Sequence, residues 1–190
     1  VSKSAKKHKN ERIILGLDPG TNVMGYGLIR IISGKIQLIQ LGVIQLKKYH
    51  GHELKLKRIF ERVLNIIDEY HPDEVALEAP FYGKNVQSML KLGRAQGVAM
   101  AAALYREVPI SEYAPKKVKQ SVTGNGNASK EQVAKMIMHL LGYNESPKLY
   151  DATDAIGVAL CHHFQSNVTS AVGSGSWTRF LKENPGRIKQ

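Results

Sequence analysis

Apolar residues fall first in short runs and later at helical spacing. Ile13, Ile14, Leu15 and Leu17 form a run broken only by Gly16 and ended by Asp18-Pro19-Gly20. A run this short, closed by turn residues, predicts a buried strand over about 12–18 with Asp18 at its carboxyl end. Residues 24–32 combine Leu28, Ile29, Ile31 and Ile32 with Gly25 and Gly27. They predict a second strand whose glycines let a backbone or a ligand come close. Ser33-Gly34-Lys35 is a tight turn, and the apolar positions from Ile36 to Leu46 predict a third strand that completes a hairpin.

The period then changes. Leu56, Ile59, Phe60, Val63 and Ile67 lie on one helical face, and His71-Pro72-Asp73 ends that helix. Glu74 to Glu78 is a short strand broken by Ala79-Pro80. A long helix over about 85–106 carries Gly93, Gly97 and Ala101 on one face. Small residues in that pattern predict close packing by the sheet or by a second subunit. Residues 109–113 read as a last strand and 116–122 as a short basic helix. After the polar loop Thr123–Asn127, Ser129 and Gln132 form a capping box for a helix that Gly142 ends. A final helix is predicted over about 151–164, with His162 and His163 at its C-terminal end, a usual place for basic residues. The order βββαβαβ(α)αα predicts an α/β fold with a mixed five-stranded sheet flanked by helices.

Composition divides the chain. Residues 1–11 are lysine-rich and without periodicity, which predicts a disordered basic arm. Residues 12–165 form one domain, and 166–190 a flexible Ser/Gly-rich and basic tail containing Trp177 and Phe180. The formal net charge is +11, of which residues 1–12 hold +4 and residues 179–190 hold +3, leaving +4 for the body. That balance suits a polyanionic partner and names no chemistry. No apolar run approaches the roughly 20 residues that span a bilayer, so no membrane partner is expected. Residues 1–11 lack the apolar core of a secretion signal. The single cysteine, Cys161, excludes an intrachain disulfide and fits a reducing, cytoplasmic setting.

Four acids stand out by position: Asp18 and Glu78 at strand ends, and Asp151 and Asp154 three apart at the start of the last helix. Each alone also fits a plain role, as a turn starter, a strand-end surface acid, an N-cap or a partner of the helix dipole. Together they would repel one another without a cation, and carboxylates are the ligands Mg²⁺ and Mn²⁺ prefer. Two such ions about 4 Å apart are a standard arrangement for phosphodiester hydrolysis.

With these residues assembled, the chain resembles the RuvC family of Holliday-junction resolvases from about Arg12 to Phe164. Ile14 to Thr21, continued by Gly25-Tyr26-Gly27, is similar to the family's opening motif. Glu78 followed by Phe81 and Lys84-Asn85 is similar to the second. Leu90 to Gly93, Gly97 to Ala99, Val118 to Gln120, Gly124 to Lys130 and Asp151 to Ala155 complete the match. The resemblance implies an RNase H-like fold, a homodimer, and Mg²⁺-dependent nicking of four-way DNA junctions in recombination and repair. Two ions per site are implied, with Mn²⁺ able to substitute. Paired symmetric nicks would leave 5′-phosphate and 3′-hydroxyl ends. Asp18, Glu78, Asp151 and Asp154 would be the metal-binding catalytic acids. Phe81 would stack on an unpaired base, and Lys84, Asn85, Lys119 and Lys130 would contact DNA. The branch-migration proteins RuvA and RuvB are the implied protein partners. The basic arm and the Trp177 tail have no counterpart in the family pattern.

Three other readings compete. The motif Leu17 to Thr21 with Gly25 also resembles the first phosphate loop of actin-like and sugar-kinase ATPases, which need a second domain. A nuclease of the same superfamily acting on ribosomal RNA precursors would share the acids. A junction-binding protein without catalysis would not need all four.

Overall fold

The computed structural model describes residues 11–80, 85–142 and 150–171. A hairpin-linked trio, β1 (Glu11–Asp18), β2 (Val23–Ile32) and β3 (Lys35–Gln45), opens the domain. It is followed by α1 (His52–Tyr70), β4 (Glu74–Glu78), α2 (Val86–Tyr105) and β5 (Ile110–Tyr113). Three helices close it: α3 (Pro115–Thr123), α4 (Lys130–Leu140) and α5 (Tyr150–Ala171). The sheet order is β3-β2-β1-β4-β5. β1 pairs antiparallel with β2 and parallel with β4, and β4 pairs parallel with β5. The expected mixed sheet is therefore present, with β1 and β4 as neighbours.

Period two along β1 and β4 sorts side chains to the two faces. Leu15, Leu17, Val75 and Leu77 pack with Ile59, Val63 and Ile66 of α1 and the alanines of α2. Ile14 and Ala76 face the other way, into a core built with α3, α4 and α5. Asp18 and Glu78 share the parity of Ile14 and Ala76, so both project on the α5 side.

α5 lies directly on the backbone of β1 and β2. A Cβ added at Gly16 would come within 2.0 Å of the Ala155 carbonyl oxygen, and one at Gly25 within 1.9 Å of the Asp151 carbonyl oxygen. Gly25 sits opposite Asp18 in the register. The close approach read from the glycines is thus made by α5, and it delivers the start of that helix to the end of β1.

Three expectations change. α5 runs to Ala171, seven residues past the predicted end, because Ser166–Ser170 continue the helix despite their linker-like composition. His162 and His163 are therefore mid-helix and buried rather than terminal. The Gly93/Gly97 face of α2 does not meet the sheet, since among the described residues nothing lies within 4 Å of a Cβ at either position. The capping box is as expected: Ser129 Oγ accepts from the Gln132 N–H at 3.3 Å, and Gln132 Oε1 accepts from the Ser129 N–H at 2.8 Å.

Candidate active site

The parallel register Leu17↔Leu77 places Asp18 and Glu78 side by side at the carboxyl ends of the two central strands. α5 brings Asp151 in its first turn and Asp154 one turn on. Carboxylate oxygens of Asp18, Asp151 and Asp154 all lie within 4.8 Å of one another, a spacing that fits a shared cation. Glu78 lines clefts of about 150 and 120 Å³ together with Asp18, and Asp154 lines the second of these. All four sequence-predicted acids therefore converge.

Ionisation of Asp18 and Glu78 is disfavoured without a cation. Burial, with the charges of Glu78 and Asp154 next, pushes Asp18 up to about 8. Burial, then Asp154, pushes Glu78 up to about 7. Lys130 opposes both shifts. Its ammonium donates to Asp154 Oδ2 at 2.8 Å, and that bond raises the lysine's own pKa. The donor set is all oxygen, acidic and under-neutralised, which is the chemistry of a hard divalent cation site.

The predicted DNA-contacting residues divide. Lys130 is inside the site, paired with Asp154. Lys119 lines the same cleft as Asp18 and Glu78, and its Nζ donates to the Ala128 carbonyl at 2.9 Å, holding the glycine-rich loop. Asn85 caps α2, its Oδ1 accepting from the Ser88 N–H at 3.1 Å, and stays exposed. Phe81 and Lys84 lie outside the described residues. A larger depression of about 550 Å³, lined by Thr123, Gln132, Met136 and His139 among others, lies away from the acids.

Sequence reasoning missed a second charged cluster at the opposite end of the same sheet face. Arg12 Nε and Nη2 donate to the two oxygens of Glu74 at 2.7 and 2.5 Å, and Nη1 donates to Ser166 Oγ at 2.7 Å. His162 bridges Glu74 and the Tyr113 hydroxyl, the latter at 2.7 Å from Nδ1. The parity of Glu74 with Glu78 was the available signal, but its partners are 62 and 88 residues away.

Comparison with known proteins agrees with this geometry. The family model for the crossover junction endodeoxyribonuclease RuvC matches residues 14–162. The RuvC of Cytophaga hutchinsonii is 64% identical over 94% of this chain and 89% of the relative. That of Christiangramia forsetii is 58% identical over 100% of both chains, so the arm and the tail, which lacked a counterpart in the family pattern, are matched there. The solved structure of T. thermophilus RuvC in complex with Holliday junction substrate superposes with a TM-score of 0.77 at 32% identity, covering 83% of this chain and 96% of that one. The yeast mitochondrial resolvase Ydc2, at 14% identity and a TM-score of 0.56, shares the fold. With an RNase H-like sheet, four converging acids and these relatives, the chain belongs to the RuvC family of crossover junction endodeoxyribonucleases.

Proposed function

We propose that this protein resolves four-way DNA junctions by paired symmetric nicks, with Asp18, Glu78, Asp151 and Asp154 as catalytic and metal-binding acids. The observation that carries the reading is their convergence from three distant stretches of the chain into one under-neutralised cluster. Asp18 is central. It is within reach of Asp151 and Asp154 and coupled by charge to Glu78, so it would be the central ligand of the Mg²⁺ that this site would hold. Ions held there would supply an activated water and stabilise the leaving 3′-oxygen, giving 5′-phosphate and 3′-hydroxyl ends. Mn²⁺, with similar ligand preference, would substitute.

The chain's own residues do the rest. Burial keeps the carboxylates in a poorly screened environment, which strengthens every charge interaction at the reacting phosphate. Lys130 holds Asp154 until a cation or a phosphate competes for it. Lys119 fixes the loop 124–128 beside the cleft. Phe81, Lys84 and Asn85 follow the catalytic strand and are assigned to the DNA near the crossover, Phe81 by stacking on an unpaired base.

Symmetric nicking needs two sites, and α2 offers the surface for a homodimer. Val86, Leu90 and Leu104 are 64%, 52% and 57% exposed and lie on one stripe with Gly93, Gly97 and Ala101. An apolar helical stripe left in water, with small residues that admit a close neighbour, suits a second copy. RuvA and RuvB are the protein partners assigned by family, in a cytoplasmic setting; no helix among the described residues is long and apolar enough to cross a membrane.

The test compares wild type with Asp18→Asn on a synthetic mobile four-way junction, with and without Mg²⁺. Wild type should nick two opposing strands only with the ion. Asp18→Asn should bind the junction and leave it intact. Full residual cleavage by the variant contradicts the assignment.

A further inference from the structure

The body's modest net charge hides a partition. Residues 13–178 net +4, but residues 47–58 alone hold Lys47, Lys48, Lys55, Lys57 and Arg58 against Glu53, a net of 5 − 1 = +4. Residues 115–135 hold five lysines against Glu131, again 5 − 1 = +4. Everything else in the body therefore nets −4. The second basic segment supplies Lys119 and Lys130, already placed in the site. The first has no role so far.

Its position is fixed by the sheet. β3 ends at Gln45 opposite Val23, at the same end of the sheet as Asp18. The turn that follows is docked on the segment just past Asp18: the Leu46 and Lys47 N–H groups both donate to the Asn22 carbonyl, at 2.9 and 3.1 Å. Tyr49 N–H closes the turn on the Leu46 carbonyl at 3.1 Å. Lys55, from the first turn of α1, adds a third tie, its Nζ donating to the Thr21 carbonyl and to Asn22 Oδ1, both at 3.1 Å. Lys47 and Lys48 are exposed. Among the described residues neither pairs with a carboxylate, whereas Lys57 pairs with Glu61. Arg58, three residues after Lys55, extends the same side of α1.

We infer that the β3–α1 turn, with Lys47 and Lys48 and supported by Lys55 and Arg58, is a second DNA-contacting surface that grips the phosphates of a duplex arm beside the cut. The inference rests on the junction-nicking reading. One strand, β2, lies between β3 and β1, so the turn stands two strand spacings, about 10 Å, to the side of Asp18. At 3.4 Å per base pair, that is about three base pairs along an arm. Two ammonium groups without a carboxylate partner among the described residues, that of Lys48 lying 5.5 Å over the Tyr49 ring, on a turn with a fixed backbone suit adjacent phosphates, which position DNA without reading its sequence. Basic segments on both flanks would also draw a polyanion over an acidic centre that would otherwise repel it.

The test measures junction affinity against salt for wild type, Lys47→Ala/Lys48→Ala, Lys47→Arg/Lys48→Arg and Lys35→Ala. Lys35 lies in the β2–β3 turn at the far end of the sheet and controls for net charge. The alanine pair should weaken binding about tenfold or more at 0.1 M salt and flatten the log–log salt slope by about 2, one counterion-releasing contact per lysine. The arginine pair should restore both, and Lys35→Ala should change neither. Neutral methylphosphonate linkages about three base pairs along an arm should weaken wild type and leave the alanine pair unaffected. If wild type nicks the junction but the alanine pair matches Lys35→Ala, the surface is wrong and the function stands. If wild type neither binds nor nicks the junction, the function fails and the surface falls with it.

Discussion

The α5 face of the sheet carries acids at both ends, and the two ends are treated in opposite ways. At one end Glu74 meets Arg12 in a two-pronged ion pair, with His162 as a further partner. Burial pushes Glu74 up, but hydrogen bonds from Arg12 and His162 outweigh it and hold the carboxyl below its usual value. At the other end Asp18 and Glu78 are more deeply placed among like charges and are pushed up to about 8 and about 7. The strands, the face and the helix are shared. Only the partners differ: Glu74 at one end is paired with a guanidinium, whereas at the other end, among the described residues, Lys130 pairs with Asp154 and leaves Asp18 and Glu78 raised. An unneutralised buried carboxylate cluster is costly to fold, so its presence marks chemistry.

The comparison breaks first at the level of activity. Asp18→Asn should lower Mg²⁺-dependent junction nicking by about a thousandfold or more, since it would remove the proposed central metal ligand. Glu74→Gln, at the paired end, should leave the nicking rate at a permissive temperature within about twofold, because it touches no reacting group. Gel-based single-turnover assays on both variants check this. Comparable losses in the two would erase the distinction between the ends.

Stability should respond in the reverse order. Glu74→Ala strands Arg12 beside His162 and should cost about 2–3 kcal/mol, read as a lowered melting temperature and urea midpoint. Asp18→Asn relieves repulsion and should stabilise the metal-free protein at pH 8 by about 2 kcal/mol, or roughly 5 °C in melting temperature.

pH sharpens the contrast by sign. Asp18 and Glu78 have folded pKa values above their unfolded ones, so the folded state keeps protons that the unfolded chain releases. The metal-free protein should lose stability as pH rises from about 4 to 8, and Asp18→Asn should flatten that slope. Glu74 is shifted down, so its contribution is present above the ordinary carboxylate value and is lost as pH falls below it. Urea midpoints across pH, with and without chelator, separate the two. The smallest effect is at Lys130. Its pair with Asp154 is largely exposed, and Lys130→Ala should cost about 0.5 kcal/mol in chelator.

Much of this was legible in the sequence because it is local. Strand and helix limits follow from period two and period 3.6, and the hairpin, the capping box and the glycine stops are read within a few residues. Asp18 and Glu78 were legible as strand-end acids. Their meeting depends on β1 lying beside β4, a fact of topology rather than of spacing. The paired end was not legible. Arg12 counts with the lysines of the N-terminal arm by composition, yet it is the anchor of β1, and its partners lie far along the chain. The linker-like composition of Ser166–Ser170 hid the last turns of α5, where Ser166 accepts from Arg12. Gly93 and Gly97 predict a close neighbour, but among the described residues nothing lies within 4 Å of a Cβ at either position.

Asp18 and its three partners are the proposed cation site, one that Lys130 alone among the described residues does not neutralise. Calorimetric titration of Mn²⁺ into wild type, Asp18→Asn and Glu74→Gln at pH 8 tests it most directly, with no DNA present. Wild type and Glu74→Gln should bind the ion saturably with proton release, and Asp18→Asn should lose both. Equal binding by Asp18→Asn and wild type would contradict this assignment.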